Sequence, residues 1–279
     1  MARTFDERRR FIAYARKVVT FTWTHPANRG QRVHALCRAM RFQIRGRVLR
    51  KPTLARLGNR SQIWAVLHRT SAAKVVYANP PDYGEMLAWG NVLRPGDLFI
   101  DVGSNIGTYA IWAAENGADV IALEPARDTF ELLKENIKLN GYHVHAINAA
   151  AGMASGTTRF TSGRDCVNHF DPSGSVEIAV VTLDAVIGDR AVAGVKIDVE
   201  GFELDVLRGC LHALSEQRVM LIQLEWNSTS LAAVGTDRRP LADLLSTYGY
   251  GLYRPDERGA LVPLVDFSFG PDVFARPSS

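Results

Sequence analysis

The sequence predicts an α/β protein built on a doubly wound, mostly parallel sheet. Three observations carry that reading. From residue 98 to residue 224, strand-length apolar runs alternate with helical stretches. The first run ends in a glycine loop that opens directly into a helix, and the second ends in an acidic residue, Glu124, twenty-three positions after Asp101. Strands that alternate with helices pack as parallel neighbours, and ligands then gather at the carboxyl ends of the strands.

The elements follow in order. The turn Arg94-Pro95-Gly96-Asp97 sets off a buried strand over Leu98–Val102. Thr108–Glu115 reads as a helix and residues 120–123 as the second strand. Residues 128–139 are amphipathic, with Phe130, Leu133 and Ile137 on one face and charges on the other. Val144–Ile147 is the third strand and residues 195–197 the fourth. A helix from Glu203 then carries Val206, Leu207, Cys210, Leu211 and Leu214 as one stripe. Residues 219–224 form the fifth strand, 241–248 a helix, and 251–253 and 272–275 two closing strands. The alternation breaks between Asn148 and Gly194, where β-like pieces at 157–161 and 176–181 flank a polar loop. This reads as a β insertion at about 149–193 that covers the strand ends as a lid.

Hydrophobic residues make up 47% of the 279 and charged residues 22%, ordinary globular usage. No run approaches the roughly 18 apolar residues needed to cross a bilayer. The apolar segment after Arg8-Arg9-Arg10 is broken at once by Arg16 and Lys17, with no small-residue cleavage site, which argues against a secretory leader. Cys37, Cys166 and Cys210 form no paired framework and no CxxC ligand set. A cytoplasmic protein without structural disulfides is expected.

Charge is unevenly spread. Residues 1–60 hold sixteen Lys and Arg against Asp6 and Glu7, a net +14, and the other 219 residues hold seventeen basic and twenty-seven acidic side chains, a net −10. Apolar residues interleave the basic ones (Phe11, Ile12, Tyr14, Val18, Val19, Phe21, Trp23, Val33, Leu36, Met40), so this zone reads as amphipathic helices. The turn-rich Asn79-Pro80-Pro81-Asp82-Tyr83-Gly84 closes it. The expected organisation is a basic, mainly helical extension over 1–84 and an α/β domain over 85–279. Such an extension can dock on its own acidic body, form a homodimer, or meet a membrane surface or nucleic acid.

The first strand runs into Asp101-Val102-Gly103-Ser104-Asn105-Ile106-Gly107. A dinucleotide cradle needs G-x-G-x-x-G, whereas here Asn105 stands at the second glycine's place. The loop suits a ligand whose anion is a single carboxylate, with Asp101 able to pair with a cationic centre or to hold loop amides. Glu124 ends the second strand, where an acid can accept hydrogen bonds from both hydroxyls of a ribose. A carboxylate anchor, a ribose anchor and no diphosphate loop together describe S-adenosylmethionine. The expected cofactor-binding set is Asp101, Gly103, Ser104, Asn105, Gly107 and Glu124, joined by Asn148 after the third strand.

The fourth strand emits Lys196-Ile197-Asp198-Val199-Glu200-Gly201-Phe202-Glu203. On an extended chain Lys196, Asp198 and Glu200 face one side, which is costly unless they meet a ligand, a metal or one another. They are the candidate catalytic residues. The alternative is an internal Lys196–Asp198 ion pair with Glu203 capping the next helix.

Residues 99–107, Ala122-Leu123-Glu124-Pro125, the run 136–140 and above all the run 195–209 resemble the FkbM family of S-adenosylmethionine-dependent O-methyltransferases, over about residues 85–275. The resemblance implies a class I methyltransferase (Rossmann-like) fold, a seven-stranded sheet ending in a reversed strand, and methyl transfer to a hydroxyl, often of a sugar or polyketide. The family usually carries Glu-Ile-His after strand five, whereas this chain has Glu225-Trp226-Asn227. In such a fold Asp198, Glu225 and Asn227 sit side by side. They offer three oxygen ligands suited to Mg²⁺, although a hydrogen-bonded acid cluster would read the same way. His169, beside Asp165, Asn168 and Asp171, is a candidate general base or a solvated loop histidine. His143, His145 and His212 read as packing or edge residues. The polar insertion favours a carbohydrate acceptor.

Two rival readings remain open. One is a nucleic-acid methyltransferase using the basic N-terminal zone, since Asn79-Pro80-Pro81 is similar to the motif of amino-methylating enzymes, although Asp82 stands at its aromatic position. The other rival is a non-catalytic cofactor-binding scaffold.

Overall fold

The computed structural model describes residues 2–67, 70–160, 176–226, 238–268, 270 and 272–278. They form two compact units, residues 1–83 and 84–279.

In the first unit, α1 (Ala2–Thr24) and α2 (Arg32–Val48) pack together around a 3-10 turn at Pro26–Asn28. Asn28 fixes that turn by donating to the carbonyls of Thr22 and Tyr77, both at 2.8 Å. Helix α2 buries Ala35, Ala39, Phe42 and Gly46, a stripe at helical spacing. A hairpin of β1 (Thr53–Leu57) and β2 (Ser61–Ala65) follows, then α3 (Thr70–Tyr77). The hairpin was not anticipated. Its turn is held by Asn79, whose side chain accepts from the Gly58 amide at 2.7 Å and donates to the Gly58 carbonyl at 2.9 Å. The Asn79 side chain is thereby engaged in the hairpin turn.

The second unit begins with α4 (Tyr83–Val92), β3 (Leu98–Val102), α5 (Thr108–Glu115), β4 (Asp119–Leu123), α6 (Arg127–Asn140) and β5 (Val144–Ile147). A small sheet of β6 (Ala150–Ala151), β7 (Gly156–Phe160) and β8 (Val176–Val181) interrupts the alternation, with β8 central. Then come α7 (Leu183–Ile187), β9 (Gly194–Ile197), α8 (Glu203–Arg208), α9 (Leu211–Ser215) and β10 (Ile222–Leu224). The last elements are α10 (Arg239–Thr247), β11 (Tyr250–Pro255), β12 (Leu261–Pro263) and β13 (Val273–Pro277). The main sheet has the order β12-β11-β13-β10-β9-β3-β4-β5. Strands β5, β4, β3, β9 and β10 are parallel, and β13 runs antiparallel to both its neighbours.

Several details correct the sequence reading. The main sheet has eight strands among the described residues, one more than the resemblance implied. The extra edge strand β12 arises because Asp256 accepts from the amides of Arg258 and Ala260 at 2.7 and 2.9 Å, turning the chain back on β11. The helix expected from Glu203 is broken into α8 and α9 at Gly209, where a Cβ would stand 2.1 Å from the Gly152 carbonyl. The fifth strand is shortened to β10, with Val219 making only an isolated bridge to Val192.

The central strands bury both faces, so they read as continuous apolar runs. One side packs Ile100, Val102, Val195, Ile197 and Leu224 against Val206, Leu207, Leu214 and Leu245. On the other, Trp89 meets Phe99 and Phe274 edge-on or tilted, with ring centroids 4.8 and 5.5 Å apart. No helix among the described residues is long and apolar enough to cross a membrane.

Candidate active site

The loop after β3 is shaped by positive φ at Gly103 (+76°), Asn105 (+51°) and Gly107 (+92°). The amides of Gly103 and Ser104 both donate to the Leu123 carbonyl, at 3.0 and 2.9 Å, tying this loop to the end of β4. Ser104 Oγ donates to the Asp101 carbonyl at 2.6 Å. Gly107 precedes α5, and a Cβ there would lie 2.6 Å from Leu133 Cδ1. That close fit explains the glycine at 107.

Asp101 is buried, and its Oδ2 accepts from the Ala110 amide at 3.0 Å, capping an orphan donor in the first turn of α5. Its Oδ1 makes no hydrogen bond and lies 3.9 Å from Lys196 Nζ. Burial pushes this carboxyl up to about 6 despite the lysine. Glu124 is buried too. Its Oε2 accepts from the Asn105 amide at 3.0 Å and its Oε1 from the Ala126 amide at 2.9 Å, so the acid fixes the glycine loop as well as ending β4. Asn148 donates to the carbonyls of Glu124 and Pro125 at 2.8 and 3.0 Å and holds the chain beyond β4 in place. Asn105 Oδ1 is buried without a hydrogen-bond partner.

Lys196 is the cation at the centre. Its Nζ donates to Asp198 Oδ2 at 3.0 Å and stands 4.7 Å from the centroid of the Tyr109 ring. Burial alone would pull the ammonium's pKa down, but Asp198 and Asp101 hold it above the usual lysine value. Sequence spacing missed the hub beside it. Gln223 on β10 donates to Tyr109 Oη at 3.2 Å and to Asp272 Oδ2 at 2.7 Å, and accepts from Trp89 Nε1. Asp272 is pushed up to about 7 by burial and by Asp198, against the bond from Gln223.

The expected one-sided run of Lys196, Asp198 and Glu200 needs correction, because β9 ends at Ile197. Glu200 adopts a left-handed φ of +54°, so a tight turn beyond the strand, and not strand alternation, brings it to Asp198. Oxygens of Asp198, Glu200 and Glu225 all lie within 4.8 Å of one another. Burial, then Glu225, Asp198 and Glu203, push the Glu200 carboxyl up to about 8. Glu203 braces this turn by accepting from the amides of Gly201 and Val199 at 3.0 and 3.4 Å. Its other oxygen pairs with Arg238 at 2.6 Å, both side chains being buried. No spacing pattern along the chain links those two residues.

His169 and Asn227 lie outside the described residues, as do Cys166 and the polar loop of the insertion. His143 and His145 are exposed on or beside β5, and His212 is exposed beside Arg218 and Glu216, all away from the acid cluster's elements.

The sheet order with its reversed β13, the glycine loop between β3 and α5, and the acid closing β4 define an α/β fold of the class I methyltransferase type. The chain belongs to the FkbM methyltransferase domain family, whose model matches residues 101–252, more than half the chain. It is 31% identical over 156 residues to the hexuronic acid methyltransferase AglP of Haloferax volcanii, covering 54% of this chain and 62% of the relative. It is 29% identical over 163 residues to the 31-O-demethyl-FK506 methyltransferase FkbM of Streptomyces tacrolimicus, covering 44% and 63%. The chain thus spans less than two thirds of the length of either curated relative. Among solved structures, it is similar to the tRNA (uracil-54, C5)-methyltransferase of Pyrococcus abyssi in complex with S-adenosyl-L-homocysteine. That match has a TM-score of 0.45 and 11% identity, over 81% of this chain and 44% of the other. The magnesium protoporphyrin IX methyltransferase of Synechocystis matches at a TM-score of 0.40 and 14% identity, over 69% and 74%.

Proposed function

We propose that this protein is an S-adenosylmethionine-dependent O-methyltransferase acting on a hydroxyl of a small acceptor, best a sugar. The observation that carries this reading is the contact between the two loops. Gly103, in the loop after β3, lies directly against the backbone carbonyl of Asp198, which leads into the acid cluster. A cofactor held by the first loop therefore has carboxylates beside it. The residues fit the cofactor. Asn105 Oδ1 is a buried acceptor without a partner in the loop that the Glu124 carboxylate holds through the Asn105 amide.

Bound S-adenosylmethionine supplies a methyl carbon activated by a sulfonium. The chain must hold the acceptor oxygen in line with that carbon and take its proton. The chain's part would be to receive the acceptor hydroxyl's proton on a carboxylate as the methyl carbon is transferred to that oxygen. Glu200, pushed up to about 8, has the basicity such a proton acceptor needs near neutral pH. Asp198 orients the acceptor hydroxyl while Lys196 fixes Asp198. His169 is a further candidate base.

We also assign Asp198, Glu200 and Glu225 as the ligands of a Mg²⁺ ion, with Asn227 as a fourth candidate. The donor set fits, since three crowded acidic oxygens suit a hard divalent cation. Such an ion would lower the acceptor hydroxyl's pKa. The sugar acceptor is supported by the likeness to AglP. A cytoplasmic location is supported by the composition.

The test is calorimetric titration of S-adenosylmethionine with and without Mg²⁺, followed by S-adenosylhomocysteine release with hexuronic acids and neutral sugars. Release with a sugar, stimulated by Mg²⁺, supports the whole reading. Cofactor binding without turnover of any hydroxyl acceptor returns the non-catalytic scaffold.

A further inference from the structure

Helix α2 is amphipathic on two sides. One side is buried through Ala35, Ala39, Phe42 and Gly46. Directly opposite, at the same helical spacing, Val33, Met40, Ile44 and Val48 stand 56–72% exposed. Basic side chains flank this apolar stripe, Arg41 and Arg45 on one edge and Arg47 on the other. On α1, Ile12, Val19 and Trp23 repeat the arrangement with exposures of 43–64%, and Arg32 lies over the Trp23 ring. Aliphatic side chains aimed at water within a zone of net +14 gain nothing from solvation alone.

Next to the stripe is a cleft of about 1090 Å³ bordered by α2, the β1–β2 hairpin and the end of α3. Arg38, Arg41, Arg45 and Arg56 line it, and Ile44 and Val48 belong to both the cleft and the stripe. Arg38 is anchored there by donating to the Val76 carbonyl at 2.6 Å. A recess that offers four guanidinium groups, continuous with an exposed aliphatic face, matches a phosphate headgroup continuous with acyl chains.

We propose that the N-terminal unit is a docking module for the surface of an anionic lipid bilayer. The α2 stripe enters the headgroup–acyl boundary and the arginine-lined cleft takes a glycerophosphate headgroup. Charge selects this occupant over the others. A second copy would bring the same arginines against each other. A nucleic acid would set its phosphates against four aliphatic side chains. Polybasic surfaces bind anionic leaflets additively per charge, and salt weakens them. This inference is independent of the methyl-transfer reading, because its assay contains no cofactor or acceptor.

The test is flotation of the full chain with vesicles of phosphatidylcholine alone and of phosphatidylcholine mixed with phosphatidylglycerol. The chain is expected to float with the mixed vesicles at physiological salt and to stay behind with the neutral ones. Ile44→Asp with Val48→Asp should weaken flotation about tenfold or more by charging the inserted face. Arg41→Glu with Arg45→Glu should do the same, with added salt reproducing the loss. All four side chains are exposed, so unchanged far-ultraviolet dichroism and melting are expected in both variants. Glycerol phosphate at millimolar concentration should compete weakly, which separates headgroup from free-phosphate binding. The idea is overturned by no flotation, or by flotation indifferent to lipid charge. It is equally overturned if the aspartate variant floats normally, or if that variant instead loses a dimer the parent forms without vesicles.

Discussion

Gly103 and the carbonyl oxygen of Asp198 approach so closely that a Cβ on Gly103 would lie 2.0 Å from that oxygen. The loop that opens α5 and the loop that leads to the acid cluster are therefore held face to face by backbone alone. Replacing Gly103 by Ala combines this collision with a φ of +76° that L side chains rarely adopt. A loss of about 3 kcal/mol or more is expected in chemical denaturation. Folded Gly103→Ala protein that retained normal cofactor affinity would contradict the tight coupling of these loops.

Glu124→Gln tests the other wall. Both carboxylate oxygens accept backbone amides, from Asn105 and Ala126. An amide side chain must turn one N–H toward a donor, leaving that bond broken. Affinity for S-adenosylmethionine, read by calorimetry, should fall about tenfold or more.

The Glu203–Arg238 pair is buried at both ends, with the acid fully shielded. Arg238→Met leaves that carboxylate without its cation and should cost about 3–5 kcal/mol. Adding Glu203→Gln should recover part of the loss, because the surviving amide oxygen can still accept from Gly201. A double variant no more stable than the single one would show that packing, not charge, decides this site.

The pH–rate profile reports on Glu200. With its carboxyl at about 8, turnover without divalent ions should rise through an ascending limb near that pH, as the acid becomes available to take the proton. A cation bound among Asp198, Glu200 and Glu225 favours the ionised form, so Mg²⁺ should move the limb to lower pH. Glu200→Gln should lose the limb while cofactor affinity changes little. A limb that stays put in that variant assigns the proton to another group.

Asp272 gives a stability signature. Its folded value, about 7, is above the ordinary aspartate value of the unfolded chain. The native state therefore holds this proton after the unfolded chain has released it. The contribution is fully present below about pH 4 and is lost as pH rises toward 7. Asp272→Asn should remove that decline, so the melting temperatures of variant and parent should diverge between about pH 4 and 7. Parallel curves would place the titration elsewhere.

What the sequence disclosed was what lies close together along it. The β3–α5–β4 unit was legible because its strands are apolar runs, its loop is glycine-bearing and α6 has a clear stripe. Lys196, Asp198 and Glu200 were visible as contiguous charges inside such a run. The mode of their convergence was hidden, since a left-handed turn at Glu200 replaces strand alternation. Arg238, thirty-five residues beyond Glu203, and Asp272, forty-nine beyond Gln223, meet their partners only through the sheet order. The β1–β2 hairpin could have been read. Thr53–Leu57 and Ser61–Ala65 flank Gly58-Asn59 with buried residues two apart, but the density of arginines favoured a helical interpretation.

The placement of β13 has a consequence for synthesis of the chain. This strand lies between β10 and β11, both of which precede it in sequence. During vectorial emergence from the ribosome β10 can join the parallel core, while β11 and β12 have no strand linking them to it. Residues 273–277 therefore act as the closing stave, and until they emerge the nascent sheet exposes two raw edges at once. A stop codon placed just before them should yield an aggregating polypeptide, not a slightly trimmed enzyme.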